Sequence, residues 1–426
     1  MRGKIFGLWV ISIGLLFFHN VYGQTIQSPY STFGVGDRQT TANTAHLGMG
    51  GIGIGGGHPL LLNTRNSAWL ARNHWTIFDF GVEGDYRTLT TSNSVNTLAS
   101  GGLRNLSFGF PITNKPEFGW TASASLRPYS TVQYRIFRED SVSGPLNTVA
   151  TIQQGNGGYN SVNWGNGFRF GENLFVGLKG TYLFGTIAQE AISSFSSVGV
   201  EYTNDVSLAE TKEVDDFLWE ASLGYQLKIA EETHLRVGAV YQGAANVNTD
   251  VLRTLTLQYN EFNPIRQILL DSGSTTEYLP FNFGAGISVE KQSHWLIGLD
   301  FDYQPWSQYR DTQGNASENL GDNWRLSIGS QFTPEWNSTR YLRRVGYSLG
   351  GHFEQSPLVF NGNPLNDFGI NFGISLPVSR AGSSLNMGLQ LGSRGTTTDN
   401  LIRENYVKLN LGIAFNQLWF MRSKYD

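Results

Sequence analysis

From residue 74 to residue 420 the chain is written in period two: apolar and polar residues alternate in run after run, with turn residues between the runs. The last run is the clearest. Val407, Leu409, Leu411, Ile413 and Phe415 alternate with Lys408, Asn410, Gly412, Ala414 and Asn416, which in an extended chain places the two sets on opposite faces. Trp295, Ile297, Leu299, Phe301 and Tyr303 oppose Gly298, Asp300, Asp302 and Gln304 in the same way. So do Phe368, Ile370, Phe372, Ile374 and Leu376 against Gly369, Asn371, Gly373 and Ser375. The pattern predicts fourteen strands, at 74–90, 102–112, 117–138, 157–170, 173–190, 214–228, 233–246, 275–290, 294–305, 322–333, 342–356, 367–377, 383–393 and 404–416.

The links between these runs alternate in length. Thr113–Pro116, Gly171–Glu172, Ile229–Glu232, Lys291–Ser293 and Val378–Gly382 are short, and Pro334–Tyr341 is the longest on that side. Opposite them stand long polar links at 139–156, 191–213, 247–274, 306–321, 357–366 and 394–403. Tight turns at one end and long loops at the other are the rhythm of an outer-membrane barrel, whereas a soluble sandwich has no reason to keep it. The expected fold class is all-β: a transmembrane antiparallel β-barrel of about 14 strands. Trp75, Tyr86, Trp120, Trp219, Trp295, Trp306, Trp324, Tyr341 and Trp419 fall near strand termini, where an interfacial girdle would set them.

Composition agrees. Glycine is abundant, with 51 residues, and charged residues reach only 15% against 13% aromatic, the reverse of a disordered chain and suited to turns and small lumen-facing residues. With no cysteine the chain has no disulfide, thiolate metal site, cysteine nucleophile or lipid-anchored N-terminal Cys. Arg2 and Lys4 precede an apolar run from Ile5 to Phe18, and Val21-Tyr22-Gly23 offers small residues for cleavage. Residues 1–23 therefore read as a signal peptide. Its removal takes the 30 basic residues to 28 against 34 acidic ones, a net charge of about −6 that gives no footprint for nucleic acid.

Residues 24–73 do not alternate. They carry Ser28-Pro29-Tyr30-Ser31-Thr32-Phe33-Gly34-Val35-Gly36-Asp37, then Gly48-Met49-Gly50-Gly51-Ile52-Gly53-Ile54-Gly55-Gly56-Gly57, then Asn66-Ser67-Ala68. Gly48, Gly50 and Gly53 match G-x-G-x-x-G, but without a strand before and a helix after them they do not make a dinucleotide site. A glycine-rich segment followed by an Asn-Pro-Ala-like element, ahead of a fourteen-stranded barrel, resembles the FadL-type outer-membrane transporters of hydrophobic compounds. The opening SPYS-x-FG-x-GD and the closing stretch from Arg394 to Asp426 resemble the Bacteroidota branch of that family. The resemblance implies that residues 24–73 form a hatch inside the barrel (74–420), with Gly48, Gly50, Gly51, Gly53, Asn66, Ser67 and Ala68 as its hallmark positions and Ser67 where the family has proline. It also implies hydrophobic small-molecule ligands, fatty-acid-like or aromatic, bound in the lumen.

Pro128 lies in the third strand, where a residue without an N–H belongs at a bulge and a bulge or wall defect is expected. In the resembled family a kink there forms a side opening, so Pro128 marks a possible lateral gate. Asp300, Asp302, Arg325, Glu220, Arg236, His352 and Glu354 point inward by strand phase, because an Arg on the lipid face costs ~2–4 kcal/mol at the midplane. They serve either as a polar path or as a salt-bridge lattice, with Asp300 and Asp302 placed to pair with Arg325. Phe415 to Phe420, ending on Trp419 and Phe420, reads as the signal for insertion by outer-membrane assembly machinery, with 421–426 as an extension.

No H-E-x-x-H, G-x-S-x-G or Walker A sequence occurs, and no enzyme activity, metal or cofactor is expected. A Ser/His/Asp site assembled from distant strands is the residual enzymatic reading. The function expected is passive uptake of hydrophobic molecules across the outer membrane, in contact with its lipid. The alternative is a non-transporting barrel of the same type, docked through its extracellular loops to a protein partner in a secretion or assembly machine.

Overall fold

The computed structural model describes residues 28–58, 60–141, 147–197, 204–259, 266–379 and 382–418. The expected signal peptide at 1–23, Trp419, Phe420 and the expected 421–426 extension lie outside the described residues.

Fourteen antiparallel staves close into one barrel. They are β1 (Thr76–Thr90), β2 (Val95–Asn114), β3 (Phe118–Pro128 continued by Ser130–Ser141), β4 (Asn147–Phe170), β5 (Leu174–Ser197) and β6 (Asn204–Ala230). After these come β7 (Thr233–Gln242 and Ala245–Tyr259), β8 (Arg266–Leu279 and Asn282–Lys291), β9 (Trp295–Gln304) and β10 (Asn323–Phe332). The last four are β11 (Gly346–Phe360), β12 (Asn363–Pro377), β13 (Ser384–Arg394) and β14 (Arg403–Gln417). The ring is shut by β14 lying against β1, paired from Arg403↔Thr90 to Gln417↔Thr76. Each stave alternates as its sequence does: Phe78, Phe80, Val82 and Tyr86 of β1 are exposed, while Asp79, Glu83, Asp85 and Arg87 are buried. An outer apolar band over a polar interior inverts a soluble protein and matches a barrel whose solvent is hydrocarbon.

The structure corrects the sequence reading in several places. The links expected at 139–156, 191–213 and 247–274 are mostly strand: β3 to β8 run on past the apolar band as a curved sheet, in which β7 pairs with both β6 and β8. Beyond the band the alternation lapses, as at the adjacent and equally exposed Leu269 and Leu270, so the period-two signal fades although the ladder continues. β2 begins at Val95 rather than 102, for the same reason. β11 starts at Gly346, after a short helix at Tyr341–Arg344. The expected link at 357–366 shrinks to Asn361-Gly362, both at positive φ, the geometry of a tight hairpin. Trp306 is not a girdle residue. It is 2% exposed, turned inward and in tilted ring contact with Tyr309.

Inside the long-strand half lies the main apolar cluster, which joins Tyr30 and Val35 to Val132, Leu183, Val214, Leu279 and Leu358 from several staves. Residues 28–73 run through the bore below and beside it. A short helix α1 (Thr44–Leu47), capped by the Asn43 side chain, meets β12 to β14. A 3₁₀ helix (Ser67–Arg72), capped by Asn66, meets β3 to β6.

Candidate functional site

The interior is built from two layers of contact between this inner segment and the wall. The first is steric. Every stave except β3 turns a glycine toward the segment: Gly224 of β6 faces Trp69, Gly298 of β9 faces Ile52, Gly373 of β12 faces Gly48 and Gly412 of β14 faces Thr44. At several of them backbone meets backbone. A Cβ on Gly238 or Gly329 would overlap the carbonyl oxygen of Ile54 or Met49, and one on Gly167 would stand 2.5 Å from that of Ser67. Small residues at these positions let the segment sit directly on the wall at interior packing density.

The second layer is polar. Asp300 accepts hydrogen bonds from the N–H groups of Gly53 at 2.7 Å, Ile54 at 2.8 Å and Gly55 at 3.2 Å. A glycine-rich turn with converging N–H groups is an anion cradle, and here its anion is a carboxylate of the wall. Asp302 is held by Arg65 of the segment at 2.7 Å. The pairing expected between these aspartates and Arg325 is not made, although Asp302 and Arg325 are register neighbours. Arg325 turns instead to Glu354 at 3.1 Å and to the Gly50 carbonyl at 3.5 Å, because the segment supplies Asp302 with a nearer cation. Arg236 pairs with Glu290, which also holds Arg72 of the segment at 3.1 Å. Glu220 pairs with Lys179 at 2.6 Å. His352 stands 3.6 Å from Asp367, whose other partner is the Tyr406 hydroxyl.

Of the hallmark positions, Gly48, Gly50, Gly51 and Gly53 are buried in the turn after α1. Gly50 and Gly51 have φ of 72° and 85°, values that strain any side-chain-bearing residue. Asn66 does three things at once. Its Oδ1 accepts from Ala68 N–H at 2.9 Å, and its Nδ2 donates to the carbonyls of Ile54 at 3.0 Å and Leu223 of β6 at 3.1 Å. Ser67 occupies the first helical position, where proline is also accepted, so the helix starts there with serine. Ala68 N–H reaches Ser222 at 3.1 Å as well.

Sequence reasoning missed the cluster around Asp37. Arg394 reaches Asp37 at 2.8 Å and Glu404 at 2.9 Å, Arg87 reaches Glu404 at 2.8 Å, and Ser28 donates to Glu404 at 2.6 Å. Burial by itself would raise the Asp37 carboxyl, but Arg394 and then Arg87 outweigh it and hold it below the usual range. Inward phase marks Arg87, Arg394 and Glu404 as luminal, but nothing in the sequence says that Asp37 meets them. His46, buried on α1, is pushed down to about 4 by burial, with Arg65 and His58 adding to the effect.

A cavity of about 120 Å³ lies between Phe33–Thr40 and the wall. Asp37, Arg104, Arg325, Arg394 and Lys408 line it together with Phe33 and Leu320. It is smaller than the roughly 300–1,000 Å³ of ordinary ligand pockets, and its ions make it a poor host for apolar molecules. Among the described residues no group of three or more His, Asp and Glu side chains is placed to hold a metal ion.

Pro128 ends the lower part of β3 and Tyr129 interrupts the strand. The wall ladder between β2 and β3 runs from Asn114↔Gly119 only to Leu106↔Leu126, so the two staves part at the proline.

A closed barrel of fourteen staves with its N-terminal segment drawn through the bore has the fold of the FadL-type outer-membrane channels. Solved structures agree over nearly their whole length. The monoaromatic hydrocarbon channel CymD superposes with a TM-score of 0.54 at 16% identity, covering 88% of this chain and 97% of that one. The Ralstonia pickettii toluene transporter TbuX gives 0.57 at 14%, covering 88% and 99%. A Pseudomonas aeruginosa FadL homologue gives 0.54 at 11%, covering 89% and 99%. These proteins are channels and transporters, not enzymes. No curated protein matches the sequence. The chain belongs to the BamG family, whose pattern matches residues 4–426.

Proposed function

We propose that this protein sits in the outer membrane as a sealed barrel and serves as a docking subunit of a barrel-assembly machine. The observation that carries this reading is the seating of residues 44–71 on the belt of wall glycines. Displacing the segment from that seat would break the Asp300 cradle, the Arg65–Asp302 pair and the Arg72–Glu290 pair together. Three polar contacts on one short stretch, set among its backbone contacts with the wall, favour a segment that stays in place. The family name points to barrel assembly, and the sheet that β3 to β8 raise beyond the apolar band offers a partner a broad surface, as the loops were expected to do.

The second reading is uptake of hydrophobic molecules, favoured by the fold shared with hydrocarbon channels and by the break in the wall at Pro128. There Pro128 would mark a lateral gate. Replacing Pro128 with Val tests it, since unchanged uptake removes the gate from consideration.

Deleting the gene separates the two readings. Docking predicts depletion of other barrels from the outer membrane with uptake of labelled fatty acid and toluene intact. Impaired uptake with normal barrel levels would refute docking.

A further inference from the structure

We propose that the stretch Asp37–Ala42 is a strap that closes the barrel wall from within, standing in for the missing half of the β2–β3 ladder. This inference concerns the wall and stands whether the barrel docks or conducts.

Backbone accounting leads to it. A buried backbone N–H or C=O left unpaired is costly, and Ser130, Thr131 and Val132 are buried, so where the ladder stops at Leu106↔Leu126 the β3 backbone just above needs another partner. On the β3 side the inner segment provides it. Asp37 and Arg38 pair with Thr131 and Ser130 as a two-residue strand. Gln39 N–H donates to the Tyr129 carbonyl at 3.0 Å, and Ser28 N–H donates to that of Gln133 at 3.0 Å. Pro128 fits the same scheme. Tyr129 N–H turns to β4, donating to the Tyr159 carbonyl at 2.8 Å, so by strand alternation the preceding nitrogen faces the gap, and proline leaves no donor there.

The strap is held from both lips. From β2, Arg104 donates to the carbonyls of Thr40 at 2.8 Å and Ala42 at 3.3 Å, and to the Gln39 side chain at 3.1 Å. From β3, Arg127 donates to the carbonyl between them, Thr41, at 2.5 Å. Both arginines are buried, at 5% and 6% exposed. Arg104 has Glu83 at 3.6 Å, whereas no carboxylate stands within 4.0 Å of Arg127 among the described residues. A buried guanidinium committed to one backbone carbonyl is costly unless that carbonyl must be held. Asp37 anchors the other end of the strap through Arg394 at 2.8 Å and Arg87 at 3.8 Å.

Because the chain has no cysteine, spin labels can be placed without background. The full chain with Ala99→Cys on the β2 lip and Phe137→Cys on the β3 lip would be labelled in nanodiscs and the inter-label distance measured by pulsed electron resonance. The strap predicts one narrow distribution for the parent, broadening or a second population in Arg104→Met/Arg127→Met, and partial recovery in Arg104→Lys/Arg127→Lys. Asp37→Asn, which releases the anchor without touching either lip, gives the same broadening and carries the test should the double variant fail to fold. A distribution as narrow as the parent's in folded variants would overturn the proposal.

Discussion

Two seams of this barrel are built on different rules. Between β14 and β1 the ladder is unbroken from Arg403↔Thr90 to Gln417↔Thr76, with the Arg87–Glu404 pair standing inside it. Between β2 and β3 the ladder stops partway, and on the β3 side the N-terminal segment makes the bonds the neighbouring stave does not. The contrast teaches that closure of a barrel is a matter of hydrogen-bond accounting rather than of stave count. A wall can part where another element satisfies it, and that element is then fixed in place. The same segment is held elsewhere by glycine contacts and ions, so wall and filling behave as one structure.

The largest effect is expected at the complete seam. Glu404→Ala leaves Arg87 and Arg394 without their shared carboxylate and should cost about 3–5 kcal/mol, read as a lower urea midpoint in detergent micelles. Should it unfold no earlier than the parent, the buried cluster is not what ties the segment to that seam.

Gly238→Ala comes next. Its added methyl meets the Ile54 carbonyl, and overpacking against backbone should cost about 3 kcal/mol, the upper end for such changes. A parent-like midpoint would mean the segment can lift from the wall, contrary to a sealed bore.

Acid sharpens the comparison from the side of the filling. His46 is held near 4 in the folded protein against a usual 6.5. Between these values the unfolded chain takes a proton that the folded one refuses, so its contribution is complete above pH 6.5 and falls as pH drops toward 4. At pH 5.5 the loss is roughly 1.4 kcal/mol, and His46→Gln should flatten that part of the midpoint-against-pH curve. An identical slope in the variant would exclude His46 as the source.

The smallest effect belongs to the bare lip of β2. A Cβ on Gly102 meets nothing within 4 Å, so Gly102→Ala should stay within about 0.5 kcal/mol of the parent. A large loss there would show that the lip is covered by something in the folded chain.

Most of the wall could be read from sequence because lipid on one side and a polar interior on the other enforce strict alternation. β9, β13 and β14 lie close to their expected bounds, and Asp300, Asp302, Glu220, Arg236 and His352 point inward by phase. Partners were not legible. Asp302 and Arg325 look paired from register, yet Arg65 arrives from more than two hundred residues away and takes the aspartate. Arg104 and Arg127 carry an inward phase like other luminal residues, but the carbonyls they hold belong to a segment with no periodicity at all. Trp306 misled because aromatics at strand ends are used both for girdles and for cores.

The central claim is that the bore is sealed and the protein works through a partner. Affinity purification of the tagged full chain from native membranes, with lipid and small-molecule analysis of the eluate, addresses it most directly. A stoichiometric complex with outer-membrane assembly components and no bound hydrophobic compound is the predicted result. A chain recovered alone, carrying a hydrophobic molecule in its lumen, would contradict it.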